Sequence, residues 1–238
     1  MNNPPPSSLP AERSEALLLV NRSEGIALDA AKEALVQAAR RQSGALEWEV
    51  STNTLVKEAA IGDEVSSSER VPDLVLSVKG EKVDVLAGVR ELRGVLKATI
   101  DPQSSSVLGA RCHSILDGFG PVRIFYGLRR LPAMTREAFQ DYWLHHHADV
   151  GRALIQPYSY RQSHADAAFT AELAQMLALS PSDFDGVASV HFPSLEACDQ
   201  QLAREDVSEI AIADERRFID HERVLFAVMA TTKPIGQS

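Results

Sequence analysis

The sequence predicts an α+β chain built from two β-α-β-β-α-β halves in tandem, whose sheets pack face to face and close an α+β barrel. Three observations carry that expectation. The predicted elements run through the same order twice. The stretch Val122–Leu128 carries apolar side chains on both of its faces, as a strand covered on both sides does. Gly118-Phe-Gly-Pro121 makes a short linker where one cycle ends and the next begins.

Residues 1–14 are rich in Pro and Ser and read as a disordered tail. The first half spans 15–117. It starts with an apolar strand over Ala16–Asn21. Leu28, Ala31, Leu35, Ala38 and Ala39 then fall at helical spacing, which predicts a helix over Leu28–Gln42, punctuated by Gly44. A strand follows over Leu46–Val56, then a polar loop over 59–71, and a strand over Asp73–Val78 after Pro72. Val85, Leu86, Val89 and Leu92 place a helix over Val83–Arg93. Val95–Ile100 reads as a strand stopped by Pro102, and Val107–Leu116 as a further extended piece.

The second half spans 121–232. Its first strand, 122–130, ends before Pro132. Thr135 is a good N-cap, and Glu137 sets a carboxylate in the first turn, where the helix dipole favours it. The helix runs to about Leu154, with Phe139, Tyr142, Trp143, His146, Val150 and Leu154 on one face. At about 100° per residue His146 lies near the middle of that stripe, His147 on its flank and His145 towards solvent. Strands over 157–164 and 185–192 are separated by a helical excursion at 167–178. Helices at 194–204 and 207–217 then precede a last strand over 218–230. Each half is thus a split βαβ, ferredoxin-like unit.

The chain has 238 residues, 45% of them hydrophobic, enough for a sizeable core. A net charge of −9 argues against nucleic acid or an anionic membrane as partner. No apolar run approaches the ~20 residues that span a bilayer. The first residues lack the basic start and apolar core of a signal peptide. Cys112 and Cys198 form neither a disulfide framework nor a CxxC, and a cytoplasmic location is the expectation. Adjacent helical residues diverge by about 100°, so His145, His146 and His147 cannot chelate one ion from a regular helix, and HExxH is absent; no metal is expected. GxGxxG, the P-loop and a serine nucleophile elbow are absent too, and no cofactor is expected.

Tyr158, Tyr160, Gln162 and His164 share one face of their strand by period two. That row is either an exposed face or the wall of a pocket opposite His146 and His147. His191, with Val187 and Ser189, either joins the pocket or faces solvent. Imidazole is the natural proton carrier at neutral pH. His147, His164, Tyr160 and His146 are therefore the catalytic candidates. Tyr126, Tyr142 and Trp143 are candidates to contact substrate along with His191. Arg123 and Arg161 are candidates to hold a substrate carboxylate, unless they are solvated strand ends. Asp220-His-Glu-Arg223 reads as a structural cluster of salt bridges.

Several stretches occur in the order of a known family. They are a basic strand end, a proline, Thr135-Arg-Glu-Ala-Phe139, Tyr142-Trp143 and a histidine four residues after the tryptophan. Tyr160-Arg-Gln-Ser-His164, Phe184-Asp-Gly-Val-Ala with Phe192-Pro-Ser-Leu-Glu-Ala, and Asp214-Glu-Arg-Arg-Phe-Ile-Asp220 follow. Over about residues 121–230 the chain resembles the EthD family of the dimeric α+β barrel superfamily. The resemblance sets His147 at the family's helix histidine and His164 at its strand histidine. It implies a cofactor-independent lyase, a decarboxylase or dehydratase acting on an aromatic, phenolic or polyketide-like small molecule by histidine acid/base catalysis, in a homodimer. Two alternatives stand beside it. One is a haem-dependent monooxygenase or peroxidase with His147 or His146 on iron; the other is a non-catalytic small-molecule binding protein.

Overall fold

Strand alternation decides the architecture. The computed structural model describes residues 12–42, 44–54 and 70–236. The first half runs β1 (Glu12–Val20), α1 (Leu28–Arg41), β2 (Glu47–Thr52), β3 (Leu74–Gly80), α2 (Lys82–Glu91), α3 (Arg93–Thr99) and β4 (Ser106–Leu116). The second runs β5 (Val122–Leu128), α4 (Arg136–Tyr142), a π-helical turn (Trp143–His147), α5 (Ala148–Ile155), β6 (Ser159–Ala165), α6 (Ala167–Leu177), β7 (Ser180–Pro181), β8 (Gly186–Phe192), α7 (Leu195–Leu202), α8 (Glu205–Glu215), a 3-10 turn (His221–Arg223) and β9 (Leu225–Thr231).

The strands pair in the order β1-β3-β2-β9-β5-β8-β6-β4, and β4 returns to β1, so eight antiparallel strands close a barrel. The two-residue β7 adds to β4 in parallel. Within each half the order is the same: fourth strand, first, third, second. The halves meet at two seams. One is the short pairing of β2 with β9 at Ser51–Thr231 and Thr52–Ala230; the other is the longer pairing of β4 with β6.

Period two sends alternate side chains to opposite faces. In the first half Ala16, Leu18, Trp48, Val50, Leu76 and Val78 point outward and pack with Leu35, Val85, Val89 and Leu96 of the helices. In the second half Ile124, Tyr126, Tyr160, Val190 and Val228 point outward and pack with Phe139, Trp143, Cys198 and Phe218. The other parity fills the barrel. Leu17, Val75, Leu108, Phe125, Val187 and Met229 form its apolar part. Beyond them lies a charged part centred on Glu49, which meets His191 (2.9 Å), Arg161 (3.2 Å), Arg123 (3.4 Å) and Lys79 (4.0 Å). Burial alone would raise the Glu49 pKa, but these cations and His191 outweigh it and hold the carboxyl well below its usual value.

Helix starts follow the sequence. Thr135 accepts a hydrogen bond from the Ala138 amide, Asp166 from that of Phe169 and Ser194 from that of Ala197. Helix α6 leaves its own half and packs on β4, where Gly109 permits the approach. A Cβ there would lie 2.7 Å from the backbone of Phe169 and Thr170.

Several expectations are corrected. Residues 12–14, read as part of the tail, begin β1; residues 1–11 lie outside the described residues, as do 55–69, which include most of the expected polar loop. Residues 93–99 form a helix, not a strand, because Leu92, Leu96 and Ile100 recur at fourfold spacing and bury against the first-half core. The last strand starts at Leu225; Phe218 and Ile219 before it plug the second-half core instead. No described helix is long and apolar enough to cross a membrane.

Candidate functional site

Between the outward face of the second-half sheet and α5, α7 and α8 lies a cavity of about 120 Å³. A cavity of about 150 Å³ takes a benzene ring, so this one matches a single small ring. Its wall is mostly aliphatic, with Ile124, Leu154, Val190 and Ile212 among it. The groups on it able to move or receive a proton are His147, Tyr160, Tyr126 and Glu215.

His147 reaches this wall because the helix widens. A π-helical turn spans Trp143–His147, so each residue there advances less than the ~100° of an α-helix. The buried stripe therefore runs Phe139, Trp143, His147, and His146 rotates out to solvent. The expectation that His146 sits mid-stripe is thereby corrected. It stacks on Tyr142 outside the cavity, ring centroids 4.9 Å apart.

His147 Nδ1 lies 2.8 Å from Asp214 Oδ2. Tyr142 donates its hydroxyl to Asp214 Oδ1 at 2.7 Å. Burial works against the Asp214 charge, but the hydrogen bonds from Tyr142 and His147 prevail and hold its pKa below the usual range. An ionised Asp214 accepts only, so Nδ1 carries the proton and the neutral ring has its lone pair on Nε2. Tyr142 thus acts behind the histidine and does not line the cavity.

Tyr160 is buried, and its hydroxyl oxygen accepts from Trp143 Nε1 (3.1 Å) and Gln162 Nε2 (2.9 Å). With both lone pairs engaged, its own proton is left to donate. Burial raises the phenol pKa, so it stays protonated. His164 fixes this arrangement from behind. It stacks on Trp143 with centroids 4.5 Å apart, and its Nε2 lies 3.0 Å from Gln162 Oε1. Burial lowers the His164 pKa to about 2, so the ring is neutral and Nε2–H donates to the amide oxygen, turning the amide nitrogen towards Tyr160. His164 does not line the cavity that His147 lines. The structure separates the two histidines by the Trp143 ring, and His164 cannot serve as an acid at neutral pH.

Arg123, Arg161 and His191 are also parted from the cavity. They have the inward parity of their strands and bind Glu49 inside the barrel. Tyr126 does line the cavity, donating to Glu215 Oε2 at 3.2 Å. Trp143 lines it as well, with Gly186 directly beneath, where a Cβ would lie 2.3 Å from the ring. Three residues of the site were not foreseen as such: Asp214 and Glu215 at the end of α8, and His221, whose Nε2 lies 3.0 Å from Glu215 Oε2. Each is more than 60 positions from the tyrosine or histidine it serves, or lies in the turn read as structural. Only the acidic Asp214–Asp220 stretch marks the region in the sequence.

No described group of three or more His, Cys, Asp or Glu is placed to hold a metal ion. Cys112 and Cys198 are both buried and form no disulfide, and burial pushes the Cys112 thiol up to about 12.

Residues 131–222 match the EthD domain. Comparison with curated proteins found no match. Among solved structures, a candidate monooxygenase from Fusobacterium nucleatum superposes with a TM-score of 0.57 at 6% identity, covering 98% of this chain and 96% of its own. An anthrone oxidase-like protein gives 0.54 at 8% identity, covering 94% and 92%. A variant of the chlorite dismutase from Candidatus Nitrospira defluvii gives 0.51 at 12%, also covering 94% and 92%. At these identities the likeness is one of fold: this chain has the dimeric α+β barrel architecture within a single polypeptide.

Proposed function

We propose that the protein is a cofactor-independent enzyme of lyase type that eliminates carbon dioxide or water from a small hydroxylated aromatic or polyketide-like molecule. The observation that supports this most is the pairing of His147 with an ionised Asp214 beside a phenol with a proton to donate, on one apolar cavity. His147 Nε2 moves the proton. In loss of water it takes a proton from the carbon next to the ring carbonyl of the keto tautomer. The electron pair moves onto the carbonyl oxygen, and Tyr160 hydrogen-bonds the charge that develops there. The pair then returns to expel hydroxide, which leaves as water with the proton from the imidazolium. In loss of carbon dioxide His147 Nε2 first takes the proton of the substrate's acid group, the same enolate forms as the C–C bond breaks, and the imidazolium returns that proton to carbon. Asp214 stabilises the imidazolium in both cases.

The EthD match supports an enzyme reading, as do the monooxygenase, oxidase and dismutase names of the structural neighbours. For a haem enzyme, His147 backed by Asp214 would suit an axial ligand. The rest does not fit: a cavity of about 120 Å³ is far smaller than the macrocycle, and none of the residues lining it is a Lys or Arg to meet the propionates. A homodimer in the cytoplasm remains part of the proposal; two buried cysteines that form no disulfide suit a reducing compartment.

The test is turnover of phenolic and polyketide-type acids and hydroxy ketones without added cofactor, following carbon dioxide release and product mass. His147→Gln and Asp214→Asn are expected to lose roughly 10²–10⁴-fold, and Tyr160→Phe about 10²–10³-fold, with circular dichroism unchanged. Full turnover in all three variants would put the site elsewhere. An inert wild type that binds these compounds would make the protein a binding protein.

A further inference from the structure

Glu215 has no role in the proton transfer just described, yet it is the one carboxylate on the cavity wall and only 8% exposed. Tyr126 and His221 both bond its Oε2, and no described residue bonds its Oε1. No Lys or Arg lines the cavity. The arginines nearest in the strands, Arg123 and Arg161, lie on the opposite face of the sheet and are bound to Glu49. Those on the surrounding helices are engaged too, Arg152 by Asp149 and Arg204 by Asp206.

We propose that the cavity takes an uncharged hydroxylated ring, with Glu215 accepting a ring hydroxyl, and that it excludes aromatic carboxylates. A hydroxyl that donates to a buried carboxylate forms a charge-assisted bond, stronger than a neutral one. A carboxylate in the same place would be a second anion, beside Glu215, with no Lys or Arg on the wall to compensate it and with the nearby His147 and His221 already bound to Asp214 and Glu215, in a site too small to hold a hydration shell. The inference rests on the lyase reading and narrows it. Of the two leaving groups, the substrate loses water, because a substrate that loses carbon dioxide must enter as the acid.

Calorimetric titration at pH 7.5 tests this with resorcinol, which is neutral there, and 2,6-dihydroxybenzoate, the same ring with an ionised carboxylate. The wild type is expected to bind resorcinol at least about tenfold more tightly than the benzoate. In Glu215→Gln that ratio should shrink by about tenfold or more, from weaker resorcinol binding and stronger benzoate binding. The wild-type ratio decides the matter even if Glu215→Gln fails to fold. Equal or tighter binding of the benzoate, or a ratio unchanged in a folded Glu215→Gln, overturns the inference. Release of carbon dioxide in the turnover assay would overturn the inference and leave the lyase reading standing. Absence of binding by both ligands would overturn the two together.

Discussion

Replacing Gly151 by alanine sets two ordinary effects against each other. Gly151 lies inside α5, where alanine is normally better by about 1 kcal/mol. The added Cβ, however, would fall 2.5 Å from Tyr160 Cε1 and 2.9 Å from Cδ1. The ring cannot swing away freely, because Trp143 and Gln162 hold its hydroxyl and the residue is 2% exposed. Overpacking of this kind costs about 1–3 kcal/mol. Loss of either hydrogen bond to Tyr160 adds about 1 kcal/mol. The net expectation is destabilisation by about 1–3 kcal/mol, with turnover down roughly tenfold or more as the phenol moves from its donating position. Gly94→Ala is the companion. It lies in α3, its Cβ would meet nothing within 4 Å, and it should gain up to about 1 kcal/mol. Both are read as denaturant midpoints with the slope checked for constancy, beside turnover. If Gly151→Ala stabilises the protein as Gly94→Ala does and keeps its activity, Tyr160 is not held as described, and the account of its proton fails with it.

Two further outcomes follow from the buried charges. Glu49→Gln leaves Arg123, Arg161 and His191 without their anion inside the barrel, and urea unfolding should show a loss of about 3–5 kcal/mol; a loss under 1 kcal/mol would mean that water reaches the cluster. His164 has a folded pKa of about 2 against about 6.5 unfolded, so below pH 6.5 the unfolded chain binds a proton that the folded one does not. Its contribution is complete above pH 6.5 and lost on acidification by about 1.4 kcal/mol per pH unit. His164→Phe, which keeps the stacking on Trp143, should flatten the stability profile between pH 6.5 and 5 by that amount; an unaltered slope would assign the proton uptake to other groups.

Much of the fold was legible because periodicity is local. Val122–Leu128 reads as covered on both faces, and it is, by helices on one and the barrel interior on the other. The same alternation already parts Arg123 from Tyr126, so a common role for them at one pocket conflicts with the strand pattern. Residues 93–99 misled because a short apolar run fits a strand or a buried helix equally. Periodicity alone set His146 mid-stripe and only the family resemblance pointed to His147, since one wide turn shifts the register and leaves no mark in hydrophobicity. Asp214 and Glu215 were hidden for another reason: their partners are Tyr126, Tyr142 and His147, and only the tertiary fold brings them together.

A barrel closed by two copies of one sequence is obliged to dress both of its outer surfaces alike. Here the two halves share a strand order but differ in sequence, and the obligation is lifted. Trp48, Leu35 and Phe169 fill one outer surface, while the other is left hollow around His147 and Tyr160. The consequence is a division of labour along the chain. Substitutions under α1 and α2 should register as changes in melting, and those under α5 and α8 as changes in chemistry, so the working half is free to alter its cavity while its neighbour keeps the barrel shut.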